Sequence, residues 1–320
     1  MAGGLGEFEL IARFFDRGPA RRVPLGIGDD CALLPALGRG ASIAVSTDML
    51  VAGRHFFEDV DPRALGHKAL AVNLSDLAAM GARPLAFTLA LALPAADERW
   101  LEAFAAGLFA LADAHACELV GGDTTRGPLN ICITVFGEVE AQVALRRDRA
   151  EPGDDVWVSG ALGAAAWAVR ERLQGRARPA GDAALRRLET PQPRVALGLA
   201  LRHLARAAID LSDGLLGDLG HVCERSRAAA ELEWARVPVD AGLAALPEQE
   251  RAALALGGGD DYELLFTAAP ENRDAIAALA GPLGLPLARI GRVVAGSGVR
   301  VLDARGAPMS IDARSFDHFA

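Results

Sequence analysis

The chain reads as an α/β protein of two domains, each a sheet layered with helices. Three observations predict this. At 320 residues it exceeds the size at which one hydrophobic core usually stops growing. Strand-like runs alternate with helix-like amphipathic segments through both halves. A charged turn, Arg146-Arg147-Asp148-Arg149-Ala150-Glu151-Pro152-Gly153-Asp154, separates the halves, which sets the domains at residues 1–145 and 146–320. Hydrophobic residues are 51% of the chain and aromatics only 5%, so the cores are built from Ala, Leu and Val.

Glu7 to Asp16 carries Phe8, Ile11, Phe14 and Phe15 on one side and reads as a short amphipathic helix. Pro19 to Pro24 breaks it, and the Gly-bounded acidic turn Gly26-Ile27-Gly28-Asp29-Asp30 follows. Ile43 to Thr47 is a β-like run ending at Asp48. Pro62 to Met80 has Leu65, Ala69, Val72 and Leu77 at helical spacing, with Gly81 as the stop, and carries Asp76. Leu85 to Leu93 reads as a buried strand, too short to span a bilayer. Ala96 to Ala116 is a helix striped by Trp100, Phe104, Leu108 and Leu111. Glu118 to Val120 is a short strand feeding a Gly121-Gly122-Asp123 turn, and Leu129 to Val139 is a long strand.

In the second half Asp155 to Ser159, Ala229 to Trp234, Tyr262 to Thr267, Leu287 to Val294 and Val299 to Leu302 read as strands. Helices are expected after Gly160, in two pieces up to about Ala205, over Glu248 to Leu256 and over Asn272 to Ala280. Between them lies Ala208-Ile209-Asp210-Leu211-Ser212-Asp213-Gly214-Leu215, a strand tip turning into a helix start.

Composition excludes several classes. The net charge of −9 argues against non-specific binding to nucleic acid or anionic membrane. Lys68 is the sole lysine, so the Walker phosphate loop and the protein-kinase lysine motif are absent. Cys31, Cys117, Cys132 and Cys223 show no CxxC spacing and read as reduced thiols of a cytoplasmic protein.

The chemistry is in the carboxylates. Asp30, Asp48, Asp76, Asp123 and Asp210 recur beside Gly or hydroxyl residues, most at the ends of apolar runs. One such place is a turn or a helix cap. Their recurrence suggests carboxylates gathered around metal ions and phosphates. Without metal such a set repels itself, so several hard cations are implied, with the Ser46 and Thr47 hydroxyls as further oxygen ligands. Gly121-Gly122 would let a phosphate approach the main chain, and Arg147 is the best Arg for neutralising one.

Taken together, Gly26-Ile27-Gly28-Asp29-Asp30-Cys31-Ala32, Ser46-Thr47-Asp48, Lys68 to Ala82, Gly121-Gly122-Asp123-Thr124-Thr125-Arg126 and Ile209-Asp210-Leu211-Ser212-Asp213-Gly214 resemble the bacterial thiamine-monophosphate kinases, nearly end to end. The resemblance implies the aminoimidazole-ribonucleotide-synthetase-like fold. Its N-terminal α/β domain would dimerise and bind ATP and metal, and its C-terminal α/β domain would close the active-site cleft. It implies ATP-dependent, in-line phosphorylation of thiamine monophosphate with several Mg2+ ions, in a homodimer. Carried over by motif, the metal ligands would be Asp30, Ser46, Thr47, Asp48, Asp76, Asp123, Asp210 and Asp213. Asp48 and Asp210 would be central to catalysis. Gly122, Arg147 and Ser212 would touch ATP, and His55, Asp260 and Phe316 the thiamine substrate. Asp260 departs from the family pattern, which has Glu there. A purine-biosynthesis or selenophosphate-synthetase type of the same superfamily, or a non-catalytic divalent-cation-binding protein, are the competing readings.

Overall fold

The computed structural model describes residues 7–18, 21–23, 34, 37–38, 40–176, 178–179 and 181–311. The chain divides into two compact units, Met1–Leu77 with Ala82–Gln142, and Ala78–Gly81 with Val143–Ala320. The acidic turn at Gly26 to Asp30, Cys31 and Phe316 lie outside the described residues.

In the first unit, α1 (Glu7–Leu10) runs into a wider turn over Ile11–Phe15, with Leu10 and Phe15 buried. A four-stranded sheet follows, with β1 (Ala41–Val51), β2 (Arg83–Leu93), β3 (Glu118–Arg126) and β4 (Asn130–Glu140) in the order β1-β4-β2-β3. β4 is antiparallel to β1 and β2, and β3 is parallel to β2. α2 (Pro62–Ala79) and α3 (Glu98–Ala114) connect the strands. Leu65, Leu70, Leu74 and Leu77 of α2 are buried with Phe104 and Leu108 of α3 and Ile131, Ile133 and Val135 of β4. α2 is buried nearly all round, which fits its Ala- and Leu-rich sequence. Asp97 caps α3 by accepting the N–H groups of Arg99 and Trp100.

Two sequence readings change here. β1 does not end at Asp48 but continues to Val51, because the β4 pairing carries on to Asn130. Gly121-Gly122-Asp123 is not a turn; it lies inside β3, where Leu89 of β2 pairs with Gly122. A Cβ at Gly122 would meet the Leu89 carbonyl oxygen at 1.8 Å. The glycine is therefore already required by the close approach of the two strands.

The second unit holds a six-stranded sheet in the order β10-β7-β9-β5-β8-β6. Its strands are β5 (Asp155–Ser159), β6 (Ala207–Asp210), β7 (Ala229–Glu233), β8 (Leu264–Ala268), β9 (Leu287–Val294) and β10 (Gly298–Leu302). Only the β10–β7 pair is parallel. The helices are α4 (Ala164–Leu173), α5 (Ala183–Glu189), α6 (Val195–Leu201), α7 (Leu215–Ser226), α8 (Glu248–Gly257) and α9 (Arg273–Leu283). Val156, Val158, Ile209, Leu219, Val222, Leu232, Leu256, Leu265 and Ile290 form its core. Tyr262 falls outside β8: its φ is +48°, incompatible with a strand.

Candidate active site

The first unit brings three of the expected residues together. Ser46 and Asp48 alternate on the inward face of β1, opposite Asp76 on α2. The Ser46 hydroxyl donates to Asp76 Oδ2 at 2.5 Å. One turn earlier on α2, Asn73 Oδ1 accepts the Asp48 backbone N–H at 3.2 Å, and its amide donates to the Ala69 carbonyl at 3.0 Å. Burial, and then the neighbouring Asp76 carboxylate, push the Asp48 carboxyl up to about 7. Two half-buried carboxylates that repel each other are a donor set made for a cation.

Thr47 is not part of that group. It points to the other face of β1, where its hydroxyl meets that of Thr134 at 2.8 Å across the β1–β4 pair. Asp123 is also apart. β1 and β3 are the two edges of the sheet, and the row Asp48–Ile133–Leu89–Gly122 crosses it. Three strand spacings, about 14 Å, separate its ends. Among the described residues no group of three or more His, Cys, Asp or Glu side chains is gathered closely enough to hold a metal ion.

His55 sits in the tight turn after β1. Its Nδ1 accepts the Val51 N–H at 3.0 Å, so the neutral ring carries its proton on Nε2. The ammonium of buried Lys68 lies 3.4 Å from the His55 carbonyl oxygen.

In the second unit the two acidic motifs are joined through their main chains. The Asp260 N–H donates to the Ser212 carbonyl at 2.9 Å, the Tyr262 N–H to Leu211 at 2.8 Å, and the Leu211 N–H to Glu263 at 2.9 Å. Asp210, 4% exposed, ends β6 just before this junction. Ser212, Asp213 and Asp260 thus share one small region, and the expected metal and substrate residues are neighbours there. Asp260 has a φ of +66°, a left-handed conformation that Asp tolerates better than most residues.

Further charged residues pack into this region. Asp218, in the first turn of α7, is raised to about 7 by burial and by nearby Asp213, against its backbone hydrogen bonds and the Arg147 charge. Arg147 itself is exposed, and its carbonyl accepts the Ser226 hydroxyl at 2.8 Å. Asp261 is buried, and both its oxygens accept the Gly163 N–H at 3.0 and 3.1 Å, at the start of α4. Burial raises its carboxyl well above the ordinary range. Glu263 is fully buried against Ser159, Arg187 and Arg194. A signal for Asp261 and Glu263 was available: the run Asp260-Asp261-Tyr262-Glu263 places too many acids beside a buried strand for all of them to face water.

Comparison with known proteins gives the class first. The N-terminal domain of AIR synthase related proteins matches residues 28–139, and the C-terminal domain matches residues 151–304. Thiamine-monophosphate kinase of Escherichia coli (strain K12) is 48% identical over 321 residues, covering 98% of each chain. The crystal structure of thiamine-monophosphate kinase from Stenotrophomonas maltophilia K279a superposes with a TM-score of 0.83 at 48% identity, covering 97% of this chain and 96% of that one. AaThiL complexed with AMPPCP and TMP gives a TM-score of 0.76 at 30% identity, covering 89% and 90%. The chain belongs to the thiamine-monophosphate kinase family of the AIR synthase related fold, and it is an enzyme, a phosphotransferase. Cys117, Cys132 and Cys223 are free thiols, and no helix among the described residues is long and apolar enough to cross a membrane.

Proposed function

We propose that the chain transfers the γ-phosphoryl group of ATP to the phosphate of thiamine monophosphate, giving thiamine diphosphate and ADP, by direct in-line attack with several Mg2+ ions. The observation that carries this is the Ser46–Asp76–Asp48 group: hard oxygen donors on a strand and a helix, with the Asp48 carboxyl raised by burial and then by the Asp76 carboxylate beside it. That donor set suits Mg2+, which takes one or two carboxylates together with phosphate oxygens. The ligands of AaThiL, AMPPCP and TMP, are a methylene analogue of ATP and the expected acceptor. Bound Mg2+ would neutralise charge on the transferred group.

The chain's own residues do the rest. Ser46, Asp48 and Asp76 would hold metal on the first unit, with Asp30 and Asp123 as further ligands. Asp210 and Asp213 would hold metal on the second. The Gly122 main chain, Arg147 and Ser212 would bind ATP. His55, through Nε2–H, and Asp260 and Phe316 would contact the acceptor. Residues 1–145 would also carry the homodimer contact, and the enzyme would work in the cytoplasm. Initial rates with thiamine monophosphate, thiamine and aminoimidazole precursors, each with and without Mg2+, test this. Mg2+-dependent turnover of thiamine monophosphate with thiamine a poor acceptor is expected. Equal or better turnover of thiamine would overturn the substrate assignment.

A further inference from the structure

We propose that Asp218 is a positioning residue for phosphoryl transfer: it fixes the Asp213–Gly214 main chain, and through it Ser212 and Asp213. The inference rests on the kinase reading above. Asp218 is 2% exposed, and one oxygen, Oδ2, accepts both the Asp213 N–H at 3.2 Å and the Gly214 N–H at 3.1 Å. An acid in the first turn of a helix can reach back to the main-chain N–H of the N-cap, as in a capping box. Here the N-cap is Gly214, and Asp218 reaches back from inside the helix to the Gly214 N–H and to the Asp213 N–H before it, tying the preceding loop down.

The loop is held from its other side as well. Gly214 has a φ of +110°, and a Cβ there would lie 2.8 Å from the carbonyl carbon and oxygen of Gly257. The Asp260 N–H holds the Ser212 carbonyl at 2.9 Å. The segment Ser212–Gly214 is therefore held by Asp260 at its Ser212 carbonyl and by the Asp218 carboxylate at its Asp213 and Gly214 N–H groups. With Asp218 removed, two N–H groups in a buried region lose their acceptor, and the loop is free to rotate about Asp213. Small misplacement of groups that act on a transferring phosphoryl is costly.

The test compares Asp218→Ala, Asp218→Ser and Asp218→Asn in the full chain. Asn keeps an acceptor oxygen at the same reach; Ala removes it, and Ser shortens it. For Ala the expected result is a kcat lower on the order of 10- to 100-fold. The Mg2+ concentration for half-activation and the KM for ATP should rise, and the KM for thiamine monophosphate should change less. Asn should restore kcat to within about threefold of the unsubstituted enzyme. Ser should fall between them, and it gives the same readout if Ala does not fold. Amide hydrogen exchange adds a direct measure: the Asp213 and Gly214 amides should be protected in the unsubstituted protein and exposed in the Ala or Ser variant. Unprotected amides in the unsubstituted protein, an unchanged Mg2+ midpoint in a folded Ala or Ser variant, or an Asn variant as impaired as Ala would each overturn the proposal. An unsubstituted enzyme without turnover of thiamine monophosphate would overturn the kinase reading instead, and the inference with it.

Discussion

Removing the Glu263 carboxylate should unfold the second unit's sheet more easily than any surface substitution, and the cost can be worked from its surroundings. Glu263 is 0% exposed. It accepts the Ser159 hydroxyl at 2.6 Å, Arg194 Nε at 2.7 Å and an Arg187 N–H at 3.2 Å, with a second, shorter bond from Arg194. Glu263→Ala leaves the Arg194 guanidinium, 16% exposed, without its counter-charge. Arg187 is 33% exposed and keeps water, so it adds little. Breaking a buried pair from one side costs about 3–5 kcal/mol, and the access of Arg187 puts the expectation near the lower end. The double variant Glu263→Ala/Arg194→Ala removes the orphaned charge and should recover about 1–2 kcal/mol. Equilibrium urea unfolding reads this. Trp157, Trp167 and Trp234 lie in the second unit and Trp100 in the first, so substitution of Trp100 isolates the second unit's transition by fluorescence. A loss under about 1 kcal/mol for Glu263→Ala, or a double variant no more stable than the single one, would refute the reasoning.

Asp48→Asn and Asp210→Asn should each lower kcat by orders of magnitude while thermal unfolding without metal is unchanged or raised, since each removes a metal-neutralised charge needed in the transition state; a folded variant with near-normal kcat removes that residue from the metal site. Asp260→Glu should be tolerated, because its longer reach offsets the roughly 1 kcal/mol that a left-handed φ costs a longer side chain. Asp260→Ala should raise KM for thiamine monophosphate more than for ATP; the reverse result would assign the residue to the nucleotide side. The fourth concerns pH. The Asp261 carboxyl is raised above its usual 3.8, so the folded state keeps a proton that the unfolded chain has lost. Stability should therefore fall as pH rises from about 4 toward the folded-state value, by at most about 1.4 kcal/mol per unit. Asp261→Asn should flatten that slope in thermal melts; an unchanged slope would show that another group sets it.

Much of the fold could be read from the sequence where pattern and punctuation agreed. α2 is bounded by Pro62 and Gly81, and β5 spans the expected Asp155–Ser159. Reading failed where pairing between distant segments decides the structure. Gly121-Gly122-Asp123 has the composition of a turn, yet β2 draws it into a strand because only a glycine fits against the Leu89 carbonyl. β1 was extended past Asp48 by its long β4 partner. Of the candidate acids, Asp48 and Asp76 lie beside each other, with Ser46 hydrogen-bonded to Asp76. Strand alternation, which the motif alone does not show, sends the Thr47 hydroxyl to the opposite face, against Thr134. Asp218 gave no signal, because its role is set by loop N–H groups, and the partners of Glu263 were hidden because its arginines lie far away in the chain.

The most direct test of the account follows the phosphorus. With purified enzyme, ATP, Mg2+ and thiamine monophosphate, 31P NMR should show ADP and thiamine diphosphate appearing in equal amounts, with no inorganic phosphate released first. ATP consumed without thiamine diphosphate, or inorganic phosphate appearing in place of the diphosphate, would contradict direct transfer between the two substrates.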